Sequence, residues 1–278
     1  MAASTSIRDE GRLLVDESRL LVAPVADTNP LARRSRWWVE LLAIGWLCWA
    51  YDAVSNLAHL RQHQAVSHAI AVLHLEAVLH LDPEAALNRW LAAHHELSSW
   101  ASVYYDNAHF VLTLAVLGWL WWRHPELYRP LRTALVGVNV VGFVVFWLLP
   151  MAPPRMLPAA HVSDVVADAN VIGAWHATSL ASHANQLAAM PSLHMAWAAW
   201  CALVLWRVLR HGDNRSTAWA AWSYPLLTAV VVMATGNHFL LDLVAGLATL
   251  ALATWVSDTA YRWWARWPGV SGFRAIPA

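Results

Sequence analysis

The stretch AAMPSLHMAWAAW, residues 188–200, places Pro191, Ser192 and His194 at the start of an apolar run that continues to residue 209. A membrane-spanning helix needs about 20 apolar residues, within a range of about 17 to 25. Proline ends the preceding loop, and a serine just before a helix can accept a hydrogen bond from an N–H group of the first turn. The stretch therefore predicts a spanning helix that begins with chemically active side chains.

The composition is that of a membrane protein. Of the 278 residues, 59% are hydrophobic, only 13% are charged and 20 are tryptophan, a combination that soluble domains do not show. All 18 basic residues are arginine and are balanced by 18 acids, so net charge does not indicate a nucleic-acid partner, and we expect none. The composition does not indicate an oligomeric state.

Six apolar segments are long enough to cross a bilayer. They predict an all-α, polytopic membrane protein with six transmembrane helices and, between them, extracytoplasmic interfacial helices. The six segments are residues 37–57, 100–122, 133–149, 193–209, 218–235 and 239–256.

Arginine is distributed unequally between the two ends of these segments. Fifteen of the 18 arginines lie in the tails and in the two connections that share their side, so the positive-inside rule places both termini in the cytoplasm of a multi-pass cell-membrane protein. We expect residues 1–35 to be a flexible cytoplasmic tail, residues 36–260 a six-span catalytic domain, and residues 261–278 a second cytoplasmic tail.

By this assignment, the two long connections are extracytoplasmic. Residues 61–98 are amphipathic, and their histidines and Glu76 interrupt any span, which favours interfacial helices on the outer surface. Residues 151–190 begin with MAPPRMLP and continue with polar residues, a pattern typical of an irregular outer loop.

His238 and Asp242 are four residues apart and therefore share one helix face. A carboxylate in that position can hold the Nδ1 proton of the imidazole, which leaves Nε2 as a nucleophile or a base. Asp242 lies about one turn inside the predicted span, where an unpaired carboxylate would be costly. We therefore expect the pair to be functional.

Ser192, His194 and Arg155 supply the groups that a phosphate would need. The N–H groups at the start of the fourth span form a site for an anion, with Ser192 as the cap. His194 can give a proton to a leaving oxygen, and Arg155 is the only arginine of the outer loop. Phosphoryl transfer needs this combination, because its catalysis consists mostly of positioning and charge stabilisation.

Other interpretations of the same residues stay open. His194, His238 and Asp242 have the right donor atoms for a metal, but no closely spaced histidine pair supports a metal site. A serine hydrolase that uses Ser192 would lack the G-x-S-x-G motif. Asp106 and His109, in YYDNAHF, are candidates for binding a headgroup, although packing explains them equally well.

MPSLHMAW followed by GNHFLLDLVAG resembles the second and third signature motifs of the type 2 phosphatidic acid phosphatase superfamily, which shares its helical core with vanadium haloperoxidases. The resemblance covers about residues 100–258. It implies that His238 is the nucleophile and forms a phosphohistidine, that Asp242 orients it, that His194 is the general acid and base, and that Ser192 helps to bind phosphate. The leucine of PSLH and the APPR loop are similar to the branch that includes fungal inositol phosphorylceramide synthases.

Two positions depart from the family pattern. Val231 and Val232 stand where the third motif commonly has Ser-Arg, and Trp122 stands where the first motif has lysine. One phosphate-binding arginine is thus missing from its usual place. We expect Arg155 to replace it by position, with Asn237 or Gln186 as additional neutral donors.

Together these features predict a membrane lipid phosphatase or phosphotransferase that acts at the outer leaflet through a histidine intermediate, without a metal or other cofactor. Water as the acceptor gives a phosphatase, whereas an alcohol gives a headgroup transferase, which the likeness to the ceramide-modifying branch slightly favours. The alternative is a non-enzymatic transporter or flippase that uses the His and Asp cluster as a proton relay. A relay would distribute ionisable groups across the bilayer, whereas here most lie near one face.

Overall fold

The computed structural model describes residues 35–169, 186–210, 218–264 and 266. Within these residues the chain forms nine α-helices, joined by short turns and 3-10 segments. The helices are α1 (Trp37–Ala58), α2 (Gln62–Leu79), α3 (Glu84–Ala92), α4 (His95–Arg123), α5 (Pro125–Leu148), α6 (Val165–Ala169), α7 (Leu193–Leu209), α8 (Ser223–Ala234) and α9 (Leu240–Trp264). Both predicted tails, apart from a few residues, and residues 170–185 of the outer loop lie outside the described residues.

The all-α fold class is confirmed, since the described residues contain no β-strand beyond one isolated bridge between Met151 and Ala188. The number of spans is established only in part. α5 and α9 are long and apolar enough to cross a membrane, and α1 with α2 would make a third crossing if the two helices, which meet at 94°, form one bent span. The long apolar helices indicate a membrane protein, while six crossings stay a prediction.

Two short apolar helices and the partly polar helix α4 account for the difference between the six predicted spans and the two or three helices that are long and apolar enough. α7 has 17 residues, and at about 1.5 Å per residue it is about 25 Å long, somewhat less than the roughly 30 Å hydrocarbon core. The 3-10 segment Trp219–Trp222 and α8 together form another short apolar helix. α4 has 29 residues, but its first half contains charged and polar side chains, which lowers its mean hydropathy.

The helical core lies where α4, α5, α7 and α9 pack together around Trp200. This side chain is fully buried, and its indole N–H donates to the carbonyl oxygen of Leu131 at 2.9 Å. Alanine occupies four further buried positions of α7, at Ala196, Ala198, Ala199 and Ala202. Small side chains let neighbouring helices approach closely, so α7 becomes the central element against which the others pack.

A second apolar cluster lies at the opposite end of α9 from its exposed tryptophans. Phe239, which immediately precedes α9, is fully buried against Met151, Ala152 and Leu157 of the loop after α5. Met151 also exchanges backbone hydrogen bonds with Leu187 and Ala189 at 2.8 and 3.1 Å. This cluster fixes the start of α9 beneath the loop that carries Arg155.

Large apolar side chains cover much of the outer surface of the bundle. Several are more than half exposed, which in water would be unfavourable but suits contact with lipid chains. Examples with 51% to 72% exposure are Trp37, Trp46, Trp49, Trp100, Trp147 and Trp255.

α7 and α9 approach most closely where Gly246 faces Ser192. A Cβ atom at Gly246 would overlap with the carbonyl oxygen of Ser192. One turn earlier, the Ser192 N–H donates to the carbonyl oxygen of Asp242 at 2.9 Å. The missing side chain of Gly246 therefore allows α9 to contact the first turn of α7.

We predict that Gly246→Ala destabilises the protein by about 1 to 3 kcal/mol, because a methyl group would force α7 and α9 apart. Gly118→Ala is the matched control, since Gly118 lies in α4 with nothing within 4 Å of an added Cβ. It should be neutral or stabilising by up to about 1 kcal/mol. Thermal unfolding in detergent, followed by circular dichroism, measures both, and equal effects would contradict the close packing.

Candidate active site

Two histidines that are 44 residues apart in sequence meet at the starts of α7 and α9. His194 lies in the first turn of α7, and His238 lies two residues before α9. The Nε2 atom of His238 is 3.4 Å from the Nδ1 atom of His194, and the ring centroids are 5.5 Å apart. The roles that the resemblance implies for His238 and His194 require the two rings to meet, and the fold brings them into contact.

The hydrogen bonds of His238 define which of its nitrogens carries the proton. Nδ1 lies 3.0 Å from the carbonyl oxygen of Ala189 and 3.3 Å from Oδ2 of Asp242. Because a carbonyl oxygen only accepts, Nδ1 must be the donor, and in the neutral ring Nε2 then keeps its lone pair. The lone pair is directed toward His194, and the ring as a whole is only 4% exposed.

Asp242 is fully buried and holds the turn that carries His238. Its Oδ2 atom accepts from the Phe239 N–H at 2.9 Å as well as facing the Nδ1 atom of His238. The carboxylate thus connects the histidine to the beginning of α9, which fixes both the position and the orientation of the ring. The His238 and Asp242 pair is an ion pair whenever the imidazole is protonated.

Ser192 is the N-cap of α7. Its hydroxyl oxygen accepts from the Met195 N–H at 3.3 Å, and the residue is fully buried. Neither nitrogen of His238 contacts this hydroxyl, since Nδ1 faces Ala189 and Asp242 and Nε2 faces His194. A serine nucleophile requires a base within hydrogen-bond reach, so this geometry argues against a serine hydrolase.

Arg155 is held beside the residue that precedes His238. Its Nη1 group donates to Oδ1 of Asn237, its Nε is 3.0 Å from Oδ2 of Asp164, and its backbone N–H donates to the carbonyl oxygen of Gly236 at 3.0 Å. A guanidinium has five N–H donors, so the side chain retains donors for an anion after these contacts. The sequence could place Arg155 only by its loop, and the structure attaches it to the turn of His238.

The turn before His238 requires glycine. Gly236 has φ +78°, and a Cβ atom there would overlap with Val162 and with the carbonyl oxygen of Ser163. A residue with a side chain is unfavourable in this conformation. The next residue, Asn237, is buried and donates to Thr235 Oγ1 at 3.0 Å, which leaves its oxygen for Arg155.

Two rings of α4 enclose His194. Tyr105 stacks on it with centroids 4.5 Å apart and planes at 21°, and His109 approaches edge-on at 4.2 Å. The Nδ1 atom of His109 is 3.0 Å from the carbonyl oxygen of Tyr105. His109 was singled out by the sequence, whereas Tyr105 was missed, although its place four residues earlier on the same helix was an available signal.

Asp106 and Gln186 are the two remaining candidate residues. Asp106 is buried on α4 next to Tyr105. Gln186 is exposed and forms no hydrogen bond within the described part of the chain. No group of three or more His, Cys, Asp or Glu side chains among the described residues is arranged to hold a metal ion.

The contact of His238 with the carbonyl oxygen of Ala189 could not be predicted, because a backbone acceptor leaves no trace in residue identity. Glu76 and Glu84 were missed as buried groups, although they lie close enough to Asp242 for its charge to act on them. Their signal was present, since acidic residues in an otherwise apolar helix need a partner.

The family model described as PAP2 superfamily matches residues 70–256. This range contains both histidines, Asp242, Arg155 and the helices that position them. Neither the curated proteins nor the solved structures provide a match.

We predict that Arg155→Gln weakens binding of orthovanadate, a tetrahedral anion, by about 10- to 100-fold, because a charge-assisted hydrogen bond contributes about 1.5 to 3 kcal/mol. Arg207→Gln is the matched control, since Arg207 pairs with Asp258 at the opposite end of α7. Isothermal titration calorimetry of the detergent-solubilised protein measures both. Equal affinities of the two variants would mean that Arg155 does not bind the anion.

Proposed function

Since the chain belongs to the PAP2 superfamily, we propose that it is a membrane lipid phosphatase that removes a phosphoryl group from a lipid phosphate through a phosphohistidine intermediate. The observation that carries the proposal is the 3.4 Å approach of the His238 Nε2 atom to His194. A nucleophilic nitrogen and a proton donor then face each other directly, and a phosphorus atom would bind between them once the two rings separate.

In the first step, the Nε2 lone pair of His238 attacks phosphorus and forms an N–P bond. The bond from phosphorus to the lipid oxygen breaks, and protonated His194 gives its proton to that oxygen as the lipid alcohol leaves. As Nε2 becomes bonded, the ring gains positive charge, which the Asp242 carboxylate stabilises through the Nδ1 proton. The geometry of His238, Ala189 and Asp242 supports this role.

In the second step, His194 takes a proton from a water molecule, whose oxygen attacks phosphorus. The N–P bond breaks, its electron pair returns to Nε2, and inorganic phosphate leaves. His194 is then protonated again and His238 is neutral, so the cycle can repeat. One histidine is thus the acid in the first step and the base in the second.

Substrate entry requires the two rings to move apart. A phosphorus atom in a reactive position lies about 3 to 3.5 Å from its nucleophile, which equals the whole distance of 3.4 Å between the two nitrogens. His194, the less buried of the two, is the ring that we expect to swing. Tyr105 and His109 contact it and define the path of that motion.

The phosphate oxygens are proposed to bind Arg155 and the N–H groups of the first turn of α7, which Ser192 caps. A helix N-terminus favours an anion, and guanidinium groups bind phosphate oxygens in pairs. Asn237 holds Arg155 in place through its oxygen, whereas its NH₂ group already donates to Thr235, so it supplies no donor to the phosphate in this geometry. Asp106, His109 and Gln186 remain candidates for the lipid headgroup, with His109 the best placed because its ring contacts His194.

Hydrolysis and transfer differ only in the acceptor of the second step. The family supports a phosphatase, whereas the inositol phosphorylceramide synthase-like branch, and with it transfer to an alcohol, stays a prediction from the PSLH and APPR residues. The orientation is also a prediction: cytoplasmic termini would place His194 and His238 at the outer leaflet.

We predict that incubation with a phosphate-labelled lipid phosphate gives a protein-bound label that is acid-labile and base-stable, and that the label is absent in His238→Ala. Loss of the nucleophile should lower turnover on the order of 10⁴-fold or more. His95→Ala is the matched control, because His95 is exposed at the start of α4. Turnover that is undiminished in His238→Ala would refute the assigned nucleophile.

A separate prediction concerns the acceptor. Purified protein with a labelled lipid phosphate should release inorganic phosphate in water, because a nucleophile smaller than an alcohol reaches the phosphohistidine most readily. Addition of glycerol or inositol should not reduce that release by more than about twofold. A new labelled phosphodiester, formed at the expense of inorganic phosphate, would instead establish transfer.

A further inference from the structure

Glu76 on α2 and Glu84 on α3 are buried carboxyl groups that the proposed reaction does not use. Glu76 is 0% exposed and Glu84 is 2% exposed, although the sequence assigned both to helices at the membrane surface. Burial of a carboxyl group is costly unless hydrogen bonds compensate for it. Their contacts therefore indicate what these two residues do.

Glu76 binds the first turn of α9. Its Oε1 atom accepts from the Leu241 N–H at 2.7 Å. The N–H groups of a first helical turn have no partner within their own helix, and Leu241 directly precedes Asp242. A side chain from α2 thus holds the short segment that carries both His238 and Asp242.

Glu84 is the second buried carboxyl group, and it lies close to Glu76. No N–H group or hydroxyl of the described residues reaches its two oxygens or the second oxygen of Glu76. The two carboxyl groups are close enough for each to affect the ionisation of the other, and because ionised carboxylates only accept, any hydrogen bond between them requires one shared proton. Burial raises the pKa of Glu84 above its ordinary value, which favours retention of that proton.

The arrangement exceeds what helix capping needs. Asp242 already accepts from the Phe239 N–H, and a short neutral side chain near the helix start would satisfy Leu241 at lower cost. Instead, two acids from two other helices meet beside a third. Of the three, Asp242 is the carboxylate that the Nδ1 proton of His238 faces, and Glu76 is the one that binds the Leu241 N–H.

We propose that Glu76 is a positioning residue of the phosphoryl-transfer reaction: through Leu241 it fixes the first turn of α9, and so the His238 and Asp242 pair, with the buried Glu84 beside it. The inference rests on the proposed function. It makes helices α2 and α3 part of the catalytic unit, because they determine where the nucleophile stands.

Two substitutions distinguish the effect of the side-chain length of Glu76 from the effect of its charge. Glu76→Gln keeps the length, so its amide oxygen can accept from Leu241 and its NH₂ group can donate to Glu84. Glu76→Asp keeps the carboxyl group but is shorter by about 1.5 Å, one carbon–carbon bond, which withdraws the acceptor from Leu241. Glu96→Gln and Glu96→Asp are matched controls, since Glu96 is exposed on α4.

We predict that Glu76→Asp lowers kcat by about 10- to 100-fold, because a displacement of about 1 Å at a reacting group can cost that much, while KM changes by less than about threefold. Glu76→Gln should retain kcat within about threefold. Steady-state kinetics on a lipid phosphate measure both. The opposite order, with Asp active and Gln inactive, would mean that charge and not position matters, and would overturn the proposal.

A spectroscopic measurement tests the same point without substrate. In a ¹⁵N-histidine-labelled protein, the Nδ1 proton signal of His238 is the one that is lost in His238→Asn. It should shift in Glu76→Asp and stay unchanged in Glu76→Gln. An unchanged signal in both variants would contradict a positioning role.

The two proposals can fail separately. If the wild-type protein turns over no lipid phosphate, the proposed function fails, and the His238 signal alone decides the role of Glu76. If the wild type is active and Glu76→Gln lowers kcat by about tenfold or more, the positioning proposal fails. This outcome decides even when Glu76→Asp does not fold, because it needs only the Glu76→Gln variant.

Discussion

The hydrogen bond from the Ser192 N–H to the carbonyl oxygen of Asp242 joins the first turns of α7 and α9. Gly246 lets the two backbones approach closely enough for it to form. His194 follows one end of this contact by two residues, and His238 precedes the other by four. The two imidazoles therefore meet because two helix starts meet, and the geometry of the candidate site is a consequence of backbone packing.

Around this junction, hydrogen bonds pair one buried polar atom each of His238, Asp242 and Glu76. His238 donates to Ala189, Asp242 accepts from Phe239, and Glu76 accepts from Leu241. Each contact compensates for the burial of a polar group in apolar surroundings, where an unpaired donor or acceptor would be costly. The same contacts hold the His238 ring in one tautomer and one orientation, so stability and proposed reactivity depend on the same network.

How much of the fold could be predicted depends on whether a feature follows from the residues of a single segment. The all-α class was predictable because a long apolar run satisfies its backbone only as a helix. The number of crossings was not, since a 17-residue helix such as α7 and the polar first half of α4 are ambiguous by length and composition. The tails and much of the outer loop lie outside the described residues, so their roles stay predictions.

For the site, the sequence by itself determined the chemical groups: the spacing of His238 and Asp242 places them on one helix face, and the resemblance of both motifs indicated the superfamily that the family match confirms. Only the tertiary structure decided which groups meet. It brought His194 to His238, set Tyr105 against His194 and buried Glu76 against the start of α9. The physical reason is that residue spacing within one helix fixes local contacts, whereas contacts between helices depend on how their surfaces pack.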